Sequence, residues 1–162
     1  MAETLGVTDM LPNKFEPLRK FRWVLAIEGI DAFLIKTAAR PQSTFEVTTI
    51  DWINSKRFLP GKHTFAPIAV TLYDAIAPSA SQEVMEWLRL QFEVVSGRSG
   101  YNDFLKRDIQ LKLLDPLGSV VQLWDGKGCW VVDMNGGDLD YASSDAAEIA
   151  LSIQADFWVL QF

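Results

Sequence analysis

From residue 21 the chain alternates, with Phe21, Trp23, Leu25 and Ile27 set against Arg22, Val24, Ala26 and Glu28. A repeat of two marks a strand with one buried face. Gly29 to Asp31 then predicts a turn into residues 32–37 as a hairpin partner. Residues 44–52 predict a further strand, with Phe45, Val47 and Thr49 opposite Glu46, Thr48 and Ile50. The stretch INSKRFLPGKH is polar and basic, and Pro60 with Gly61 predicts a projecting loop. Strand character returns over 64–73, with Ile68, Val70 and Leu72 on one side. Pro67 lacks a backbone donor and places its part of that strand at an edge or a bulge.

One helix is predicted, starting at PSASQEVMEW. Ser79 can cap it with Gln82 three positions on. Val84, Leu88, Gln91, Phe92 and Val95 fall near one face, with Trp87 beside them. SGRSG, with Gly97 and Gly100, ends it. Strands follow at 107–113, where Arg107, Ile109, Leu111 and Leu113 oppose Asp108, Gln110 and Lys112. Two more are predicted at 119–124 and 129–134, separated by DGKG read as a tight turn. After a Gly and Asp loop, residues 149–159 alternate as one long final strand, Ile149, Leu151, Ile153, Ala155, Phe157 and Val159 against Glu148, Ser152, Gln154, Asp156 and Trp158. The expected fold is mainly β: an antiparallel β-sandwich or barrel of seven or eight strands with one flanking α-helix. Residues 1–17 are expected to form an irregular arm, and residues 18–162 a single β domain.

At 162 residues one core suffices. An apolar share of 49% and a charged share of 22% exclude disorder throughout. The formal charge of -6 argues against a protein whose task is gripping phosphate backbones. A lone cysteine, Cys129, forms no internal disulfide and is expected to be buried, which favours a cytosolic origin. The first residues lack a basic region followed by an apolar core, and no window of about eighteen apolar residues exists. Neither a signal peptide nor a membrane anchor is expected.

Catalytic chemistry finds little support. His63 is the only histidine, set beside Lys62 as a surface residue, and no GxSxG, P-loop or HExxH occurs. In DMNGGDLDY, Asp133, Asn135, Asp138 and Asp140 offer oxygen ligands, but glycines occupy the fourth and fifth positions and Ser144 the twelfth. That departs from the calcium loop, so a strand connection is expected and no metal. Trp23 and Trp87 read as core. Trp52, Trp124 and Trp158 fall on the opposite faces of their strands, where they need a partner surface or, in a carbohydrate-binding sandwich, a sugar.

Three blocks carry a resemblance: KFRWVLAIEGIDAFLIKTAARP, LPGKHTFAPIAVTLYDAI, and the long run from DIQLKLLDPLGSVVQLWDGKG to its end at DFWVL. Within the third, Asp115, Gly118, Val120, Val121 and Trp124 form D-x-x-G-x-V-V-x-x-W, and Asp156 with Leu160 closes it as D-x-x-x-L. In this order and spacing the chain resembles the tail tube proteins of contractile-tailed bacteriophages and related injection systems. The resemblance implies a structural virion subunit without catalysis or cofactor. Six copies would form a ring, and rings would stack into a hollow tube inside a sheath. Partners would be further copies, the tail sheath protein, and baseplate and tape-measure proteins, with DNA passing the bore unbound. Assembly would occur in the host cytoplasm. Lys56, Arg57 and Phe58, with Leu11 and Phe15 of the arm, are implied ring-stacking residues. Asp108, Gln110 and Lys112, or Ser152, Gln154 and Asp156, are candidates for the bore wall. A baseplate tube initiator and a genome-free injection tube share this architecture.

Overall fold

A computed structural model describes residues 6, 11 and 15–162. Most of the expected arm therefore lies outside the described residues. In chain order come β1 (Trp23–Ile27), a 3-10 turn (Ala32–Leu34), β2 (Ile35–Ala38), β3 (Ser43–Trp52), β4 (Ser55–Phe65) and β5 (Ile68–Tyr73). Then follow α1 (Ala80–Gln91), β6 (Phe92–Glu93), β7 (Arg98–Ser99), α2 (Asn102–Leu105), β8 (Arg107–Leu114), β9 (Val120–Asn135), β10 (Glu148–Gln154) and β11 (Phe157–Leu160).

Seven strands form one antiparallel sheet in the order β1-β8-β9-β10-β5-β2, with β11 also paired to β9. The sixteen-residue β9 serves two halves. Its first part lies between β8 and β11, and its last part pairs with β10. Inward side chains of both halves, among them Leu25, Ile109 and Leu111 from one and Val70, Leu72, Leu151 and Ile153 from the other, join a single buried cluster. Helix α1 adds Ala80, Val84 and Trp87 to it. The architecture is thus the expected β-sandwich with one main helix.

Several local expectations change. β1 pairs with β8 rather than with β2. The 3-10 turn carries the chain across the sandwich, so β2 joins β5 instead, and only a single bridge, Ile27 to Ile30, remains of the predicted hairpin. Ser79 does cap α1, its Oγ accepting from the Gln82 N–H at 3.4 Å. The helix stops at Gln91, because Phe92–Glu93 turns back on Arg98–Ser99 around Gly97 at φ 69°, and Val95 is exposed. Pro67 sits in the link between β4 and β5, outside either ladder.

DGKG is no turn: β9 continues through it, bulged against β8 between Gly126 and Cys129 with Gly128 at φ 63°. A Cβ on Gly126 would lie 2.7 Å from the Trp158 ring, and one on Gly128 would lie 2.1 Å from Asp156 Oδ2. The glycines make room for close approach, not for reversal. Facing them, the final strand breaks at Ala155 and Asp156, and β11 resumes one position out of phase. Trp158 consequently points inward, 5% exposed, while Phe157 is exposed. The surface position expected for Trp158 is therefore corrected, and Trp124 is likewise packed against the core.

Trp158→Ala is expected to lower the unfolding free energy by about 3–5 kcal/mol, the usual cost of an emptied aromatic site. Trp52→Ala, at a position 72% exposed, should stay within about 0.5 kcal/mol for the isolated chain. Urea unfolding of the two variants checks the contrast.

Candidate assembly surfaces

The segment expected as a loop is a strand. β3 and β4 form a separate two-stranded sheet, paired from Ser43 opposite Phe65 to Trp52 opposite Ser55. Residue after residue along β3 is exposed, as is nearly all of β4. Cross-strand partners share a face, so Phe45, Val47, Phe58, Pro60, His63 and Phe65 line one side. Their rings touch: the His63 centroid lies 4.6 Å from both Phe45 and Phe65. Ile50, Trp52 and Leu59 stand on the other side among Thr44, Glu46, Thr48 and Arg57. An apolar face of this length that no described residue covers marks a contact surface.

The hairpin turns at Ile53 and Asn54. Ile53 is held at φ 50°, a left-handed conformation that a β-branched residue rarely adopts, and is 86% exposed. Strain of this kind persists where the chain has a use for it. Lys56 and Phe58 project to the apolar face and Arg57 to the opposite one, with Lys56 Nζ 3.8 Å from Asp51. At the hairpin base the Gln154 amide donates to the Phe65 carbonyl at 2.9 Å, tying β4 to β10. Leu11 and Phe15, the two arm positions singled out, are both exposed.

The two bore candidates fall on different halves of the sheet. Asp108, Gln110 and Lys112 lie outward on β8, where Lys127 Nζ meets Asp108 at 2.7 Å and Asp125 at 3.4 Å. The Lys127 bond holds the Asp108 carboxyl below its ordinary value, and Lys127 is raised in return. Ser152 lies outward on β10 between Ala69 and Asp133, and beside it Ala150 lies between Thr71 and Asn135. This row is smooth, and at its end Glu148, next outward on β10, holds Lys36 in an ion pair. Gln154 and Asp156 do not extend it freely. Gln154 is spent on the Phe65 carbonyl, and Asp156, beyond the strand break, is paired with Lys106 at 2.6 Å. Asp108 and Asp156 instead converge around the buried Cys129, where burial first and these carboxylates next push the thiol up to about 12.

No group of three or more His, Cys, Asp or Glu capable of holding a metal occurs among the described residues. Among the described residues no helix is long and apolar enough to cross a membrane. What the surfaces can do is pack.

A family profile described as the T4-like virus tail tube protein gp19 matches residues 19–159. The chain belongs to this tail tube family. Its role is that of a structural tube subunit. Solved structures agree on the fold of this tail tube protein. The cap of the anti-feeding prophage superposes with a TM-score of 0.74 at 16% identity, covering 97% of this chain and 99% of that one. The sheath–tube complex of an extracellular contractile injection system gives 0.71 at 13% identity over 98% and 99%. The SPP1 tail tube gives 0.56 at 15% identity over 89% and 78%. No curated protein matches the chain.

Sequence reading located the hairpin but missed that it is strand to its tip; the alternation through Phe58 and Pro60 is hidden by the bulge between Phe45 and Val47. As the only cysteine, Cys129 supplies a check. A thiol reagent should find no reactive group in the native chain near pH 8 and one after denaturation.

Proposed function

We infer that this tube subunit assembles as rings of six copies that stack into a hollow conduit inside a contractile sheath, and that it catalyses no reaction. The carrying observation is the β3–β4 hairpin, whose apolar face is left exposed by the described residues. Lys56, Arg57 and Phe58 near its tip, with Leu11 and Phe15, make the contacts between stacked rings. Open sheet edges at β1 and β2 fit the same reading, since joining edges around a ring removes a liability that a monomer must otherwise blunt. A head-to-tail contact closes into a ring or grows into a filament, and a tube uses both.

The row of Ala69, Thr71, Asp133, Asn135, Ala150 and Ser152 is our choice for the bore wall, ahead of the β8 row with its Lys112 and Lys127. Small neutral and acidic side chains let a polyanion slide, whereas lysines would bind it in a salt-dependent way. The sheath, baseplate and tape-measure proteins are the other partners, and assembly proceeds in the host cytoplasm. Likeness to tubes and caps of injection systems supports a second reading, a particle carrying cargo other than a genome. A baseplate initiator differs by nucleating tubes without extending them. The sugar-binding alternative loses its footing, because Trp124 and Trp158 are turned to the core and Trp52 alone of the three remains exposed.

Negative-stain electron microscopy of the purified chain should display hollow tubes or six-membered rings. A monomer at every concentration contradicts self-assembly. Lys56→Glu with Arg57→Glu should retain the circular dichroism of the wild type and lose stacking; tubes unchanged in this variant would remove the hairpin tip from the interface.

On assembled tubes, Ser152→Cys should react with a small maleimide and resist one carried on a bulky polymer, whereas Val95→Cys, on the helix side, should accept both. Equal reaction of Ser152→Cys with both reagents would put this face on the outside. Buried Cys129 leaves the background clean.

A further inference from the structure

A groove of about 880 Å³ opens beside the free edges of β1 and β2. Phe21, Trp23, Leu25, Phe33, Ile35 and Leu111 give it an apolar wall. Arg19, Lys20, Lys36 and Arg40 also line it, and no carboxylate does. Lys36 is paired with Glu148 of its own chain. Arg19, Lys20 and Arg40 have no carboxylate partner among the described residues, in a protein whose net charge is -6. Arg40 donates to Gln122 Oε1 at 3.2 Å, a neutral partner that leaves its charge uncompensated. Cations without a carboxylate beside apolar surface suit an acidic, apolar segment.

One such segment is displayed by the chain itself. The connection between β9 and β10 reads GGDLDYASSDAA, with three aspartates and no lysine or arginine. Leu139 is 90% exposed and Tyr141 111%. Local bonds shape the segment: the Gly137 N–H donates to Asn135 Oδ1, the Ala142 N–H to Asp140 Oδ1, and the Asp145 N–H to Ser143 Oγ. Leu139 and Tyr141 are thus presented on a turn that is already formed, which lowers the ordering cost of binding. Neither of them lines the groove of its own chain.

We propose that the Asp138–Tyr141 segment of one copy docks in the β1–β2 groove of a neighbouring copy. Leu139 and Tyr141 fill the apolar wall, and Asp138 and Asp140 meet Arg19, Lys20 and Arg40. This deepens the tube reading and rests on it, since it supplies a head-to-tail contact of the kind that repeats from copy to copy. The β3–β4 hairpin is the poorer occupant on charge: it brings Lys56, Arg57 and Lys62 toward a groove that is already basic.

The experiment is a charge swap in the full chain, read by sedimentation and electron microscopy after circular dichroism establishes native folding. Asp138→Lys with Asp140→Lys, and separately Arg19→Glu with Arg40→Glu, should each raise the concentration needed for assembly at least about tenfold. All four changes together should restore assembly toward the wild type. Assembly of either double variant at wild-type concentration overturns the docking while leaving the tube reading intact, as does a quadruple variant no better than the doubles. A wild-type chain that never assembles overturns both.

Discussion

Two sheet halves must bury their inward rows against each other, and β9 is the element that makes this geometrically possible. It enters among β8 and β11 and leaves beside β10, so a single backbone carries hydrogen bonds for both halves. Each fully buried Leu, Ile or Val on those rows contributes about 1.5–3 kcal/mol, and all depend on the halves meeting. Gly126 and Gly128 lie where β9 passes from one half to the other. Trp158 leans on the first and Asp156 on the second, and the break in the last strand is the matching adjustment on the partner side.

The alternating rows were readable because burial of one face leaves a period of two in the residues themselves. Leu25 and Ile27, Ile68 to Leu72, Ile109 to Leu113 and Ile149 to Ile153 are all buried as that pattern implies. What failed were inferences about partners and phase. Nothing in residues 29–34 states that the chain will cross to β5 instead of returning to β1, because strand pairing is decided by the whole core. DGKG has the composition of a turn, and only the ring of Trp158 reveals why glycine is needed there. A one-residue slip at Ala155 and Asp156 reverses every later face, so Phe157 and Trp158 exchange the places that periodicity assigns them. The family relationship was legible in the order of the three blocks. The faces proposed for assembly were less so, because Lys56, Arg57 and Phe58 alternate across a hairpin with apolar groups on both sides.

The chemistry of this chain lies in contact and in the avoidance of contact. Its one thiol is sealed and driven up to about 12, its histidine packs tilted against one phenylalanine and edge-on to another, and its outward ion pairs hold charges in place. Most of its basic residues have no carboxylate partner among the described residues, and those of the β1–β2 groove stand out by their setting, gathered beside apolar surface.

The hairpin leaves part of its hydrophobic burial unfinished when the chain has folded. In the proposed assembly, folding and stacking are successive stages of one desolvation, the first ended within the chain and the second available only between chains. Subunit concentration then acts as a thermodynamic control. On that proposal the wet face is borne by each free copy below a threshold and is covered above it as copies join a growing end. Nucleation is slow under such a law and elongation fast, so the supply of growing ends sets how many structures form.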